Sequence, residues 1–113
     1  MDMSVETAKR CQDIYGLGAR LFIGNIPNGP AQELVLNLLF LCFGMWADGG
    51  VVSVLLTSRR GNRVAWVQYR TRSEAQGALD YAQVRGMFLL SRLLRVEWAR
   101  GRNYGKGRQR WYQ

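Results

Sequence analysis

Two stretches of this chain alternate in a way that only extended strands can use. Arg20–Ile26 reads RLFIGNI, and residues 63–69 read RVAWVQY. Alternate residues of a strand share a face. Phe22, Val64 and Trp66 therefore project to one side, and Leu21, Ile23, Ala65 and Val67 to the other. One face is aliphatic and needs helices over it. The other carries aromatic rings.

The remaining segments complete an order. Pro27-Asn28-Gly29-Pro30 breaks the first strand, and residues 31–46 predict a helix ending near Gly44. Asp48-Gly49-Gly50 turns the chain into a β-branched strand at 51–58, and Arg59–Asn62 forms a short loop. Ser73 is expected to cap a second helix, with Ala75, Ala78, Leu79 and Ala82 at helical spacing. A last strand is expected at 93–98. The order β-α-β-β-α-β predicts an α/β sandwich (α+β) with a four-stranded antiparallel sheet and helices on one face. Residues 1–19 read as a polar N-terminal arm ending in the flexible joint Gly16-Leu17-Gly18. Residues 20–99 form the domain, and 100–113 a basic tail.

Charge is placed unevenly. The 113 residues carry a net +8, and residues 99–113 hold Arg100, Arg102, Lys106, Arg108 and Arg110 with no acid. A basic excess at one end points to a polyanionic partner, most simply nucleic acid. With two cysteines, Cys11 and Cys42, and no histidine, neither a metal site nor a Ser/His or Cys/His nucleophile pair can be assembled from the usual groups. The chain is therefore not expected to be an enzyme or to hold a cofactor. Two lone cysteines suit a reducing compartment. Asp2 and Glu6 stand where a signal peptide needs an apolar run, so none is expected.

The first helix is apolar nearly all round. Leu36, Leu39, Phe40 and Phe43 form the stripe that should face the sheet. Leu34, Leu38 and Leu41, with Val35 and Cys42, form a second stripe roughly opposite. That second stripe predicts a protein partner or a second copy on the helical side. The alternative is that Val5, Ile14 and Leu17 of the arm fold over it. No basic residue falls in the helix, which argues against a membrane surface.

LFIGNI on the first strand and NRVAWVQY on the third resemble the RNA-recognition motif family. The first-strand motif, aliphatic-aromatic-aliphatic-Gly-Asn-aliphatic, is matched at every position by Leu21-Phe22-Ile23-Gly24-Asn25-Ile26. The third-strand motif, K/R-G-F/Y-G/A-F-V-x-F/Y, is matched in part: Val64 replaces the first exposed aromatic, and Trp66 keeps the second. The resemblance implies single-stranded RNA stacked on Phe22 and Trp66, with fewer bases held because Val64 is no platform. The alternative is that the arm or the tail covers these rings.

The C-terminal part is similar to a narrower family, the small subunits of the nuclear cap-binding complex. Their last strand reads D-R-I-I-R-T-D-W-D, followed by G-R-Q-Y-G-R-G-R. Here Arg92-Leu93-Leu94-Arg95-Val96-Glu97-Trp98 occupies the strand, and Gly101–Arg108 (GRNYGKGR) matches six of eight tail positions. The resemblance implies binding of the 7-methylguanosine 5′ cap of RNA in the nucleus, beside a large helical-repeat subunit. A cationic methylated purine sandwiched between two rings gains cation–π energy. Phe22 would supply one ring, and Tyr15 or Tyr104 the other. Arg95, Glu97 and Trp98 match the base-reading positions, and Arg102, Lys106 and Arg108 the phosphate-binding ones. The family has an acid directly after the Trp, whereas this chain has Ala99. Two broader readings stand beside it. One is a generic RNA-binding domain with a salt-sensitive tail. The other is a variant whose sheet binds a protein.

Overall fold

The computed structural model describes residues 5–48 and 50–100. The elements are α1 (Val5–Tyr15), a 3-10 turn (Leu17–Ala19), β1 (Arg20–Ile26), α2 (Gln32–Gly44), β2 (Ser53–Arg59), β3 (Asn62–Gln68), α3 (Arg72–Val84), the short β4 (Phe88–Leu89) and β5 (Arg92–Leu93), and β6 (Arg95–Trp98). β2-β3-β1-β6 form one antiparallel sheet. β4 and β5 form a separate hairpin. The α+β arrangement expected from the alternation is present.

The aliphatic face carries the main core. Leu21, Ile23, Val54, Leu56, Ala65 and Val67 from the sheet meet Val35, Leu39 and Phe43 of α2 and Ala75, Ala78 and Leu79 of α3. Val35 is thus a core residue at 0 % exposure, not part of an outer stripe. Leu36 and Phe40, expected inside, only flank the core. A helix apolar all round has no polar side to fix its rotation, so the sequence left that angle open. What faces outward is Leu34, Leu41 and Met45, at 46 %, 68 % and 71 % exposure. Leu38 and Cys42 lie half-buried between the two sides, and burial pushes the Cys42 thiol up from its ordinary range.

The arm departs most from expectation. Val5–Tyr15 is helical, and it packs on the sheet face opposite α2 and α3. Ala8 joins Leu55, Val64 and Trp66 in a second apolar cluster there, with Phe22 and Ala99 at its edge. The two outer apolar residues Val5 and Ile14 stay exposed and never reach α2.

Local chemistry fixes the joints. α3 is capped two residues before the expected Ser73. Thr71 is the N-cap, its hydroxyl accepting from the Glu74 N–H, while the Glu74 carboxylate accepts from the Arg70 N–H. This reciprocal pair is a capping box displaced by one residue. At the C-terminus of α2, the Tyr69 hydroxyl donates to the Phe43 carbonyl at 2.6 Å. That carbonyl belongs to the last turn, where no helical donor is available. Both two-residue hairpin loops hold positive φ at each central residue: Arg60-Gly61 (53° and 81°) and Leu90-Ser91 (50° and 70°). Such a loop matches the strand twist but suits Asn-Gly, and each left-handed non-glycine residue costs about 1 kcal/mol.

Two outcomes are expected. Replacing Leu90-Ser91 by Asn-Gly raises stability by about 1–2 kcal/mol, seen as a Tm increase of about 5 °C or more. Burial, with a smaller contribution from the Glu74 charge, pushes the Tyr69 hydroxyl well above its ordinary value of 10.0. A raised folded value means that the stabilisation holds below pH 10 and is lost above it. Tyr69→Phe therefore costs about 1 kcal/mol at neutral pH, and the gap to the parent narrows above pH 10 in denaturant titrations.

Candidate nucleic-acid interface

With α1 over β2 and β3, the open part of the ring-bearing face is the side formed by β1, β6 and the adjoining loops. It holds a groove of about 740 Å³. Phe22 lies in its floor beside Gly24 and Val64. Arg59, Arg63, Arg92 and Arg95 line it, with Asn25, Asn28 and Asn62 between them. No carboxylate is among its lining residues.

The register explains this gathering. Gly24 pairs with Arg95 and Phe22 with Glu97. Arg59 pairs with Asn62 at the hairpin end. A Cβ on Gly24 would stand 2.9 Å from an Arg95 nitrogen, so the missing side chain lets the Arg95 guanidinium lie across β1. From there it reaches 5.4 Å from the Phe22 ring centre. Glu97 is its ion-pair partner at 3.5 Å, an exposed contact of little stabilising weight.

The pairing of β1 with β3 shifts between Ile23 and Ile26, and Asn25 sits there at φ 63°. Asparagine is the non-glycine residue that tolerates this conformation best. Its amide also clamps the β4–β5 hairpin. Nδ2 donates to the Leu93 carbonyl at 2.8 Å, and Oδ1 accepts from Arg92 Nη2 at 3.0 Å. Arg63 is tied down on the opposite side, where Nη1 donates to the Pro27 and Pro30 carbonyls at 3.1 and 2.7 Å. The Arg63 N–H donates to Asn28 Oδ1 at 3.1 Å. Arg59 lies 5.4 Å from the Trp66 ring centre. Arg63 and Arg92 are thus held by hydrogen bonds, while Arg59 and Arg95 lie beside aromatic rings.

The expected site residues separate in space. Phe22, Val64 and Arg95 share the groove. Glu97 adjoins it through Arg95. Trp66 touches the Phe22 ring edge-on at 5.5 Å but is only 5 % exposed, because α1 covers it. Trp98 does not face a base. It packs toward the helices, with the Arg72 guanidinium 4.0 Å over its ring. Trp98 directly follows Glu97 in β6, so alternation puts the two on opposite faces. Tyr15 stands at the far end of α1, since the following Gly16 carbonyl accepts from Gln68 while Val5 lies beside Ser58 and Arg59. Ala99 packs at the edge of the apolar cluster under α1. An acid there would meet an apolar surface, which is costly for a charge. Arg102, Tyr104, Lys106 and Arg108 lie outside the described residues.

Arg59, Arg63, Arg92, Asn25, Asn28 and Asn62 were not singled out by the sequence reading. Alternation could have found Arg59 and Asn62, which fall in step with Val64 across a two-residue loop. The others depend on loop geometry. Among the described residues no group of three metal-ligating side chains comes together.

No protein-family model matches the sequence, and no curated protein is significantly similar to it. Solved structures are. The third RRM domain of Mip6 superposes with a TM-score of 0.55 at 19% identity, covering 74% of this chain and 95% of that one. The C. elegans NONO-1 homodimer matches with a TM-score of 0.51 at 24% identity, over 75% of this chain. The chain has the RNA-recognition motif fold. It spans 30% of the NONO-1 chain, so the likeness concerns one domain of that protein.

Asn25 carries both a backbone and a clamping role in this fold, and the two can be separated. Asn25→Ala loses both and is expected to cost about 2 kcal/mol. Asn25→Gly restores the backbone freedom but not the clamp, and should fall between Ala and the parent in chemical denaturation. Faster amide exchange at the β4–β5 hairpin in both variants would report the lost clamp.

Proposed function

We propose that this domain binds single-stranded RNA through the groove at Phe22. The carrying observation is the aromatic floor beside four arginines with no carboxylate in the lining. A base stacks on a ring, and charge-assisted bonds from planar guanidinium groups suit phosphate oxygens. Pre-held arginines lose less freedom on binding than free ones. The first-strand motif favours the same reading, because Phe22 stands where the family it resembles stacks a base.

A narrower form makes the stacked base a 7-methylguanosine cap. The resemblance of Arg92–Trp98 and of the GRNYGKGR tail favours it. In that form Arg102, Lys106 and Arg108 would hold phosphates, Tyr104 rather than Tyr15 would close over the base, and the outer residues Leu34, Leu41 and Met45 would meet a large helical-repeat subunit in the nucleus. The missing acid at Ala99 and the inward Trp98 weigh against it. The geometry therefore supports general single-stranded RNA binding best.

One titration series tests both. With a labelled hexauridylate, Phe22→Ala should weaken binding about tenfold, within the 1–3 kcal/mol of one base–aromatic stack. Arg59→Ala should weaken it less and flatten the salt dependence by about one phosphate contact. Unchanged affinity in Phe22→Ala would refute the groove. A methylated cap dinucleotide bound at least about 100-fold more tightly than its unmethylated twin, or roughly 2.7 kcal/mol, would establish the narrower form. Equal affinities would remove it.

A further inference from the structure

We infer that residues 101–113 of this chain dock on the outer stripe of α2, with Trp111 and Tyr112 as the anchors and their neighbouring arginines toward its acidic ends. The docking does not rest on the RNA reading above, because it concerns the opposite layer of the domain.

The stripe is unusual in both pattern and charge. Leu34, Leu38, Leu41 and Met45 follow one another at helical spacing and so run along one side of α2. Leu34, Leu41 and Met45 are exposed, and Leu38 is half-buried. On a chain of net charge +8, residues 31–58 contain no lysine or arginine. Their charged groups are acids, Glu33 just before the stripe and Asp48 just after it. The arginines at the start of α3 are engaged elsewhere. Arg70 Nη1 donates to the Gly50 carbonyl at 2.9 Å, and Arg72 donates to the Gly18 carbonyl and lies over the Trp98 ring. The surface is therefore apolar along its length and negative at its ends.

That charge pattern selects the occupant. A second copy paired in parallel through α2 would set Glu33 against Glu33 and Asp48 against Asp48. An antiparallel pair would bring Glu33 of each copy toward Asp48 of the other. Either arrangement gathers like charges around the apolar contact, which opposes association. An anionic membrane surface is repelled for the same reason. The complement is an aromatic or aliphatic segment with basic groups beside it. Residues 101–113 have that composition: Tyr104, Trp111 and Tyr112 stand among Arg102, Lys106, Arg108 and Arg110, with no acid. Trp and Tyr bury large areas with few rotatable bonds, and the thioether of Met45 is a favourable neighbour for a ring.

The connection permits it. The Ala99 N–H donates to the Arg20 carbonyl at 3.0 Å, so the chain leaves the sheet beside the start of β1. Tyr69 ties the end of α2 to the same end of the domain. Its N–H donates to the Ala19 carbonyl and its hydroxyl to that of Phe43. The eleven residues from Arg100 to Trp111 reach about 36 Å when extended. The longest dimension of the domain is 34 Å, so the stripe is within range. Docking there also holds Arg108 and Arg110 away from a strand stacked on Phe22.

The test places a nitroxide on the full chain at Gln113→Cys, with Cys11→Ser and Cys42→Ala, and reads amide line broadening by NMR. Broadening is expected at residues 34–48 and not at groove residues 22–25 and 92–95. Leu41→Lys with Met45→Lys, both at exposed positions, should abolish it. Val84→Lys, at an exposed site on α3, should leave it intact. Mixing nitroxide-bearing chains without isotope and isotope-labelled chains without nitroxide should give none. With both cysteines retained, Trp111→Ala should move the Met45 ε-methyl resonance. Broadening at the groove or nowhere, broadening that survives the double variant or is lost in Val84→Lys, or an unmoved Met45 resonance overturns the docking. Broadening in the mixed sample means contact between copies and overturns docking within one chain.

Discussion

β3 is apolar on both of its faces, and the rest of the domain is organised around that fact. Ala65 and Val67 project into the core under α2 and α3, while Val64 and Trp66 project from the opposite side. A central strand of this kind has to be covered twice. The helical layer provides one cover, since α2 and α3 each bring an apolar stripe. Nothing in the β-α-β-β-α-β order provides the other, so the segment before β1 does. α1 lies on Trp66, Val64 and Leu55 through Ala8. Its path is set by the joint at Gly16, which Gln68 anchors from the same strand.

Covering β2 and β3 leaves β1 and β6 open, which determines where a ligand can go. The open part carries Phe22 and gathers arginines from four separate places: the ends of β2 and β3, the β4–β5 hairpin and β6. Like charges so close would push apart if unsupported. Here each is engaged by an acceptor or lies against a ring: Arg63 by proline carbonyls, Arg92 by Asn25, Arg95 by Glu97, and Arg59 against Trp66. The Gly24-Asn25 pair is central to the arrangement. The glycine leaves room for Arg95, and the asparagine accepts the backbone turn that brings Arg92 and Leu93 to the rim.

Period-two alternation made the sheet legible from sequence, because a one-residue slip in β1 or β3 exchanges the two faces completely. By that rule Phe22, Val64 and Trp66 share the face away from the helices, as they do in the structure, whereas Arg95 and Trp98 were expected only from the resemblance, and Trp98 packs toward the helices instead. α2 was legible as a helix but not in rotation, since Leu34, Val35, Leu38 and Leu41 are equally apolar and only contact with the sheet decides that Val35 goes inside. α1 escaped notice for a different reason. Its single buried residue is an alanine, and one Ala8 among Glu6, Lys9, Arg10 and Asp13 produces no apolar stripe to read. Asn28 and Arg92 were hidden because loop geometry brings them to the groove.

The two surfaces left with unusual character lie on opposite layers. Leu34, Leu41 and Met45 point away from the sheet on α2, and the arginine groove opens on the far side of it. Between them stands the packed core of Leu21, Ile23, Leu39, Phe43 and Val67. A protein docked on the apolar stripe therefore leaves the groove free for a nucleic-acid strand. Any influence of one on the other has to pass through the packing of α2 on β1 and β3 rather than through competition for space.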